Sequence, residues 1–375
     1  MRIGIDARMY DEGLGIGRYI AKLIAHLERM DSADTYIIFL TRKNWDSYHP
    51  GHERFVKKCV NIRWYSPSEQ FLLPLILLWH RLDCMHFPHM NVPIAYPGAF
   101  VMTIHDLILL KHPLSATSAS STRHPLIHTI KHWCYRIILR IALRRARHII
   151  TISQSVKNDL VGLCSVASER ISVIYEAADP LPAQESCARL SRFSNTQFFF
   201  RAGNAYPHKN LEGLLRAFQR VRRTAPHGVL LLCGQEDYFQ KKVLSRINKL
   251  GLSDAVVHLG SVSDACLAWL YAHAIAYVFP SFEEGFGLPA VEAFLHGCPV
   301  LASDIPSLRE VCGDAALYFN PYDSDDIAKA MESLLNKPST RHQLIARGSR
   351  RAQSFSWERL ARETAGVYAR YTAPL

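Results

Sequence analysis

Short runs of apolar residues alternate with longer amphipathic segments along the whole chain. The short runs have the length and the continuous apolar character of strands that are buried on both faces of a parallel sheet. The longer segments repeat their apolar positions every three or four residues, as amphipathic helices do. This alternation predicts an α/β protein in which helices cover both faces of parallel sheets.

The first half of the chain contains one series of alternating strands and helices. We predict strands there at residues 2–7, 36–41, 61–65, 83–87, 100–105, 148–153 and 171–175. We predict helices there at residues 17–29, 126–147 and 154–163. Prolines and small polar residues then interrupt the periodicity at residues 179–184, which indicates a linker.

The second half of the chain restarts the pattern. Its predicted strands are at residues 198–202, 229–233, 256–259, 276–280, 300–303 and 316–319. Its predicted helices are at residues 210–223, 238–250, 264–273, 289–296, 307–312 and 325–336. The restart predicts two Rossmann-like, doubly wound domains, residues 1–180 and 181–355, that face a central cleft. Ligands of such sheets bind beyond the carboxyl ends of the strands, so we expect the active site in that cleft.

The composition is that of a globular protein, with 49% apolar and 21% charged residues, and it excludes a disordered or fibrous chain. The formal net charge of +11 favours an acidic partner, such as a phosphorylated substrate or an anionic membrane surface. The alternative is a generally basic, solvated surface. We expect no nucleic-acid partner, because the basic residues form no recognisable recognition module.

The nine cysteines are scattered among apolar stretches and form no C-x-x-C pair. This distribution is typical of reduced core thiols in a cytosolic protein, and it indicates neither a disulfide framework nor a zinc site. The chain begins with a strand pattern and without the apolar region of a signal peptide. The longest strongly apolar run, from Phe71 to Trp79, is about half of the ~20 residues that a membrane-spanning helix needs. We therefore expect a cytoplasmic protein.

Two glutamates flank the predicted start of a helix after a buried strand. Glu284 precedes a glycine-bearing loop, and Glu292 lies one turn into the helix that we expect to begin at Pro289. The free amides and partial positive charge of a helix start suit phosphate. The carboxylates suit the hydroxyl groups of sugars, because an ionised carboxylate only accepts hydrogen bonds. A nucleotide sugar has this layout; the alternative is that both glutamates only stabilise the helix electrostatically.

Lys209 lies at the carboxyl end of another predicted strand, before an amphipathic helix. Its ammonium group is suited to a diphosphate, and it would stabilise a departing nucleoside diphosphate. The alternative is an ordinary exposed lysine.

Two weaker signals lie in the first half. Gly13, Gly15 and Gly17 let the backbone approach a ligand after the first strand, but they lack the G-x-G-x-x-G spacing of dinucleotide binding. His105 follows a strand and should point into the cleft, with the adjacent Asp106 as an acid that would orient its ring. A structural histidine is the alternative.

His86, Phe87 and His89 are close in sequence, but no carboxylate or cysteine joins them at ligand spacing, so we favour structural or acceptor-lining roles over a metal site. The segment from Lys131 to Arg147 interleaves six cations with apolar residues and has no acid. It fits a helix on an anionic membrane surface, or equally a helix that packs on the sheet with solvated arginines.

With these motifs the chain resembles glycosyltransferase family 4, the retaining transferases of GT-B fold. The family's Glu-x7-Glu signature is matched from Glu284 to Glu292, and its G-x-x-x-P-x-K-N segment from Gly203 to Asn210. The Gly-Ile-Gly-Arg-Tyr run from Gly15, the His-Asp pair at His105 and the Ile-Ser-Gln-Ser run from Ile152 are similar to a branch that contains many bacterial mannosyltransferases.

The resemblance implies roles for individual residues. Glu284 would contact the donor hexose, Glu292 the ribose, Lys209 the diphosphate and the Gly15 backbone the β-phosphate, and His105 would lie beside the anomeric centre. The catalytic set is then His105, Lys209 and Glu284, and the other donor-binding positions are Gly17, Asn204, Phe286, Gly287 and Leu288. Asn204 replaces an arginine of many relatives, which leaves open whether Arg201 supplies the missing positive charge.

The resemblance also implies an activity. Residues 1–180 would bind the acceptor, residues 181–355 the nucleotide sugar, and the helix at residues 356–375 would cross back to the N-terminal domain. The preferred reaction is retaining transfer of mannose from GDP-mannose to a bacterial polysaccharide or a polyprenyl-diphosphate-linked saccharide. A UDP-sugar, another GDP-sugar, a nicotinamide-dependent oxidoreductase and a non-catalytic sugar-nucleotide sensor are the alternatives. No cofactor or metal is expected, because we identify no Asp-x-Asp triplet in the chain and because Lys209 and helix amides can neutralise the leaving group.

Overall fold

The computed structural model describes residues 1–10, 15–113, 125–182 and 187–372. The described strands are β1 (Arg2–Asp6), β2 (Thr35–Leu40), β3 (Phe55–Cys59), β4 (Cys84–Phe87), β5 (Phe100–Ile104), β6 (His148–Thr151), β7 (Ile171–Val173), β8 (Phe198–Ala202), β9 (Val229–Cys233), β10 (Val256–Gly260), β11 (Ala276–Phe279), β12 (Val300–Ser303) and β13 (Ala316–Phe319).

Helices connect most of these strands. They are α1 (Gly15–Leu27), α2 (Pro67–Trp79), α3 (Ile108–Lys111), α4 (Pro125–Arg145), α5 (Gln154–Cys164), α6 (Leu211–Thr224), α7 (Tyr238–Lys249), α8 (Asp264–His273), α9 (Leu288–Leu295), α10 (Pro306–Cys312), α11 (Ser324–Asn336), α12 (Pro338–Ala352) and α13 (Trp357–Thr372). Several begin where the sequence provides a cap, such as Ser66, Ser153 and Asp237, whose side chains accept a hydrogen bond from a first-turn amide.

The strands form two separate parallel sheets. The first has seven strands in the order β3-β2-β1-β4-β5-β6-β7, and the second has six in the order β10-β9-β8-β11-β12-β13. Every strand pair of these two sheets is parallel, as the continuous apolar runs predicted. In each sheet, successive strands are added first on one side of the first strand, β1 or β8, and then on its other side. This is the doubly wound arrangement. The predicted α/β class is confirmed.

The chain divides into two compact units. Unit 1 comprises Met1–Leu107, Pro125–Glu176 and Ser356–Leu375, and unit 2 comprises Ile108–His124 and Ala177–Phe355. Within unit 1 the last helix, α13, packs against α1 and β6. Within unit 2 the core lies between the sheet and helices α6, α7 and α11, with Leu214, Phe218 and Met331 completely buried.

The strand predicted at residues 61–65 is wrong. The structure places the strand earlier, at β3, where Tyr36 to Leu40 pair with Phe55 to Cys59 at the edge of the first sheet. The pattern was misleading because β3 contains Lys57 and Lys58, which suit a solvated edge but weaken the apolar signal of a strand. Helices α2, α3 and α12 were not predicted, and α2 was missed because it is apolar on nearly all sides.

The prediction that all cysteines are reduced core thiols is also wrong. Cys187 and Cys266 form a disulfide across a sequence separation of 79 residues. Cys59 and Cys134 are exposed, whereas Cys84, Cys233, Cys298 and Cys312 are buried. Sequence spacing could not reveal this pairing, because three strands, β8 to β10, and two helices, α6 and α7, separate the two cysteines along the chain.

Candidate functional site in unit 2

The ammonium group of Lys209 contacts both carboxylate oxygens of Glu284, at 2.7 and 2.9 Å. Only 16% of the Lys209 side chain and 10% of the Glu284 side chain are exposed. The two predicted residues come from different strand ends, 75 positions apart in sequence, and the fold brings them together. Lys209 is therefore not the ordinary exposed lysine of the alternative interpretation.

The backbone before Lys209 is bent so that its side chain turns towards this pair. Gly203 follows β8 with φ +121°, a left-handed conformation that favours glycine. A short 3-10 turn, Pro207–Lys209, then leads into Asn210, which also has a positive φ of 53°. Gly234 supports the bend from the next strand, because a Cβ there would lie 2.3 Å from the Gly203 carbonyl oxygen.

Asn210 holds three strand ends together. Its Oδ1 accepts a hydrogen bond from the Gly213 amide at 3.2 Å and thereby caps α6. Its Nδ2 donates to the carbonyl of Pro280, after β11, at 3.0 Å and to the carbonyl of Pro321, after β13, at 2.8 Å. Since Asn210 is buried and adjacent to Lys209, it fixes the position of the ammonium group relative to the Glu284 loop.

The loop from Glu284 to α9 is tightly packed. Gly287 is the N-cap residue of α9 with φ 115°, and a Cβ there would lie 2.7 Å from Leu308 Cδ2. The helix begins at Leu288, so Pro289 occupies its second position rather than its first. Phe286, predicted to bind the donor, is buried with its ring 5.4 Å from that of Phe355, so its side chain supports the loop from within.

Glu292 is buried in the first turns of α9 and faces a tyrosine. The hydroxyl of Tyr271 lies 3.1 Å from Glu292 Oε2 and 3.2 Å from the Pro289 carbonyl. Burial, and then the negative charge of Glu292, raise the pKa of Tyr271 well above its ordinary value, so the tyrosine remains a hydrogen-bond donor. Tyr271 was not predicted, because it lies in the last turn of α8 and carries no motif.

Arg201 provides a second positive charge behind the loop. It is 3% exposed, and its Nη1 donates to the Gly203 carbonyl at 2.6 Å. Burial lowers the pKa of Arg201, while its electrostatic interactions with Tyr277 and Glu284 act in the opposite direction. Asn204 is exposed on the outer side of the same loop. Positive charge is thus present within two residues of Gly203, although the position after that glycine is neutral.

Two further features of unit 2 bear on ligands. The hydroxyl of Ser281 is fully buried between Pro280 and Phe282 and has no hydrogen-bond partner within the described chain. The sequence also contains an Asp-x-Asp triplet, Asp323 to Asp325, so the expectation that the chain lacks one is wrong. Asp323 caps α11 and Asp325 pairs with Arg220 at 2.8 Å, so both carboxylates serve the start of that helix.

In unit 1, Gly15 and Gly17 lie at the start of α1, the first helix after β1. Gly15 has φ +52° and no atom within 4 Å of the place where a Cβ would be, so its backbone is open to a ligand. Gly17 is buried. Gly13 and the rest of residues 11–14 lie outside the described residues.

His105 is buried between two acceptors. Its Nδ1 is 2.8 Å from Glu176 Oε1, and its Nε2 is 2.9 Å from the Pro88 carbonyl oxygen. Burial lowers the pKa of His105, but the hydrogen bond and charge of Glu176, with smaller effects of Pro88 and Asp106, raise it, and the net pKa lies above its ordinary value. The acid that orients the ring is thus Glu176, and the expectation of Asp106 is wrong.

The other histidines of the first half have structural partners. His86 is fully buried between the hydroxyls of Tyr368, at 2.6 Å, and Thr103, at 2.9 Å. Burial lowers the pKa of His86 to about 3, and that of His89 to about 3. Within the described ranges no group of three potential ligands that could hold a metal ion is present.

The basic segment from Lys131 to Arg147 forms most of α4. Leu139, Ala142 and Leu143 are buried in unit 1, whereas Ile130 and Trp133 are exposed beside the cations. The C-terminal half of the helix thus packs on the unit through these three residues, and its N-terminal half exposes apolar and basic side chains. No helix in the described ranges is both long enough and apolar enough to cross a bilayer.

Comparison with known families assigns both halves of the chain. The family described as "Glycosyltransferase Family 4" matches residues 14–180, and the family described as "Glycosyl transferases group 1" matches residues 184–351. The N-terminal match covers the segment with His105, and the C-terminal match covers Lys209, Glu284 and Glu292.

Several curated proteins are similar in sequence. O-antigen chain mannosyltransferase RfbU of Salmonella typhimurium is 26% identical, over 88% of this chain and 90% of that protein. O-antigen chain mannosyltransferase B of Escherichia coli is 33% identical, over 61% of this chain and 62% of that protein. MMP α-(1→4)-mannosyltransferase of Mycolicibacterium hassiacum is 30% identical, over 73% of this chain and 66% of that protein.

Solved structures match almost the whole chain. Sucrose-phosphate synthase of Thermosynechococcus elongatus superposes with a TM-score of 0.77 and 20% identity, over 98% of each chain. WaaG, a glycosyltransferase involved in lipopolysaccharide biosynthesis, superposes with a TM-score of 0.72 and 14% identity, over 97% of this chain and 99% of WaaG. At such identities the likeness concerns the fold. The matched families and this fold together identify the chain as a member of glycosyltransferase family 4 and a glycosyltransferase of GT-B fold.

Proposed function

We propose that this glycosyltransferase transfers a hexose, with mannose from GDP-mannose as the preferred donor, and retains the anomeric configuration. The proposed acceptor is a bacterial polysaccharide or a polyprenyl-diphosphate-linked saccharide. The observation that supports the donor site best is the contact of the Lys209 ammonium with both Glu284 oxygens at 2.7 and 2.9 Å. The choice of mannose rests on relatives named as mannosyltransferases.

The pair of Lys209 and Glu284 suits the junction between a sugar and its diphosphate. In our proposal Lys209 turns its ammonium group to the diphosphate, and Glu284 accepts hydrogen bonds from hexose hydroxyls. Glu292 accepts hydrogen bonds from the ribose, while Tyr271 holds one of its oxygens in place at 3.1 Å. The free amides at the start of α9, from Leu288 onwards, contribute further positive potential.

The proposed reaction breaks the bond between the anomeric carbon and the β-phosphate oxygen, and the electron pair leaves with the nucleoside diphosphate. The acceptor hydroxyl attacks from the same face, forms the new C–O bond and passes its proton to the departing phosphate oxygen. No covalent nucleophile is invoked. Lys209, Arg201 and the α9 amides stabilise the departing negative charge, so the proposal includes no metal ion or other cofactor.

Two residues of unit 1 also have proposed roles. We propose that the open backbone at Gly15 approaches the β-phosphate and that His105, held by Glu176, lies beside the anomeric centre. The orientation of His105 is set by two hydrogen bonds, which pre-organise the ring for such a role. We also propose a cytoplasmic enzyme that works at the inner face of the cytoplasmic membrane, with the cations of α4 near the lipid.

A thermal-shift panel tests the donor. GDP and GDP-mannose should stabilise the protein, by about 2–3 kcal/mol at 100-fold excess over Kd, because they bind the native state alone. UDP, UDP-glucose and NADH serve as comparisons. If UDP compounds stabilise the protein and GDP compounds do not, the donor is a UDP-sugar and not GDP-mannose. A response to NADH alone would contradict a sugar-nucleotide site altogether. The anomeric configuration of the product, read by NMR, tests retention.

A further inference from the structure

Helix α2 exposes a continuous row of large apolar side chains. Phe71, Leu72, Leu75, Leu78 and Trp79 are 71%, 52%, 64%, 45% and 85% exposed. Their spacing of one, four, seven and eight residues places them on one side of the helix. We call these five residues the α2 stripe. Soluble monomers usually expose such side chains singly, so a contiguous row marks an interaction surface.

The opposite side of α2 already packs against unit 1. Leu73, Pro74 and Leu77 are buried there, and Glu69 forms an ion pair with Arg8 at 2.6 Å. The α2 stripe is therefore a second apolar face of the helix, in addition to the face that packs against unit 1. Glu69 is the only acid in α2, and because it is buried the exposed face carries no negative charge.

Exposed cations border the two ends of the α2 stripe. Arg63 precedes the helix, and its carbonyl accepts a hydrogen bond from Ser66, the N-cap residue. At the other end the Arg2 guanidinium donates to the carbonyl of His80 at 2.8 Å, and Arg81 follows directly. Burial, and then the positive charges of Lys58 and Arg2, lower the pKa of His80. Positive potential thus frames an uncharged apolar row.

Helix α4 extends this basic surface beside the first turns of α2. Gln70 of α2 accepts a hydrogen bond from the Ile94 amide at 2.9 Å, and Arg145 of α4 donates to the carbonyls of Ile94 and Tyr96. The two helices therefore flank the same segment. The exposed side chains of α4 include Ile130, Lys131, Trp133, Arg136, Arg140 and Arg144.

We propose that the α2 stripe is a membrane-docking face that inserts in the plane of an anionic lipid bilayer, with the surrounding cations on the headgroups. A helix of 13 residues is about 20 Å long, too short to span a bilayer but suited to lie within one leaflet. Trp79, at the end of the stripe, belongs to a residue type that favours the lipid–water boundary. This surface is separate from the donor site, and the proposal holds whichever sugar nucleotide is used.

A second copy of the chain would fit the α2 stripe less well. In a two-fold contact the same patch faces itself, so Lys58, Arg63 and Arg81 of one copy would approach the same cations of the other. That arrangement adds like-charge repulsion at the rim, whereas anionic headgroups would neutralise those charges.

Vesicle co-sedimentation tests the proposal. The wild type should pellet with vesicles of 70% phosphatidylcholine and 30% phosphatidylglycerol, and only weakly with pure phosphatidylcholine. The triple variant F71S/L75S/W79S should lose on the order of tenfold or more in its partition coefficient, because it removes the inserted surface and leaves every cation in place. The double variant L163S/Y322S, which removes exposed apolar side chains elsewhere, is the matched control and should bind like the wild type.

Quenching by brominated lipids provides a second measurement. Trp79 should be quenched in the bound wild type, and the W79F variant should lack that component while it still pellets. Circular dichroism should show the same melting temperature for the triple variant, since the substituted side chains are solvent-exposed. Wild-type binding by the triple variant would overturn the proposal. So would light scattering that shows a lipid-free dimer which the triple variant converts to a monomer.

Discussion

The imidazole of His105 lies 2.8 Å from the carboxylate of Glu176, and its other nitrogen faces the carbonyl of Pro88 at 2.9 Å. Both facing atoms accept hydrogen bonds, and a ring that donates from both nitrogens is the imidazolium ion. The raised pKa of His105 agrees with this geometry. Glu176 is the last residue of unit 1 before the chain passes into unit 2, so this contact also anchors the end of that connection within unit 1.

The charge of Glu176 should make stability depend on pH. A histidine whose folded-state pKa is raised contributes stability that is complete below its unfolded pKa of about 6.5 and is lost as pH rises through the folded pKa. Glu176→Gln retains an acceptor oxygen but lowers the pKa of His105. The difference in melting temperature between wild type and variant should therefore be largest at about pH 6 and shrink towards pH 9.

The exposed Glu169, near the start of β7, offers a matched control for that experiment. Glu169→Gln should show no such pH-dependent difference from wild type. A constant difference between wild type and Glu176→Gln across the whole pH range would contradict a charged His105.

Glu284→Gln should reduce glycosyl transfer far more than it reduces stability. The amide cannot match the carboxylate as an acceptor for two hydroxyls, so kcat/KM should fall on the order of 10²–10³-fold. The neighbouring Glu283 is half-buried and also pairs with a lysine, Lys111, at 3.1 Å, which makes Glu283→Gln the matched control. Initial rates with donor and acceptor measure the effect. If the turnover of Glu284→Gln stays within about twofold of the wild type, Glu284 is not part of the donor site.

Asn210→Ala should destabilise unit 2 and weaken donor binding together. It removes the α6 cap and leaves the buried carbonyls of Pro280 and Pro321 without their donor, at a cost of about 2–4 kcal/mol in the free energy of unfolding. Asn210→Asp retains the capping oxygen but turns a negative charge towards the two carbonyls. It therefore separates the contribution of the α6 cap from that of the hydrogen bonds to Pro280 and Pro321. Urea denaturation measures both variants, with the exposed Asn204→Ala as a stability control. If Asn210→Ala lowers the free energy of unfolding by less than about 0.5 kcal/mol, these hydrogen bonds do not hold the strand ends together.

Gly287→Ala should distort the loop that follows Glu284. The new Cβ would lie 2.7 Å from Leu308 Cδ2, and φ of 115° is unfavourable for alanine, so we expect a loss of about 1–3 kcal/mol. Because Leu308 is completely buried, Leu308→Ala would itself leave a cavity and destabilise the protein. It would relieve the contact with the new Cβ, so the double variant should lose less than the sum of the two single losses. Gly366→Ala in α13, where a Cβ meets no atom within 4 Å, should instead stabilise by about 0.5–1 kcal/mol. Equal melting temperatures for the Gly287 and Gly366 variants would contradict this account.

Local pattern was sufficient for much of unit 2. The strand predicted at residues 198–202 coincides with β8, because an uninterrupted apolar run bounded by Gly203 leaves little ambiguity. The same reasoning failed at β3, where two lysines obscure an edge strand, and at α2, where apolar residues on two sides hide the helical period. Burial against a partner, rather than local propensity, decides such segments.

For the candidate site, the sequence by itself indicated the residue types and strand ends that could carry sugar-nucleotide chemistry, because motifs such as Glu-x7-Glu are local. Tertiary structure alone decided which side chains meet: Lys209 with Glu284, His105 with Glu176 rather than with its neighbour Asp106, and Cys187 with Cys266. These partners are 71 to 79 residues apart. Whether two such side chains face each other depends on sheet order and on the bends after each strand, which no single stretch of sequence encodes.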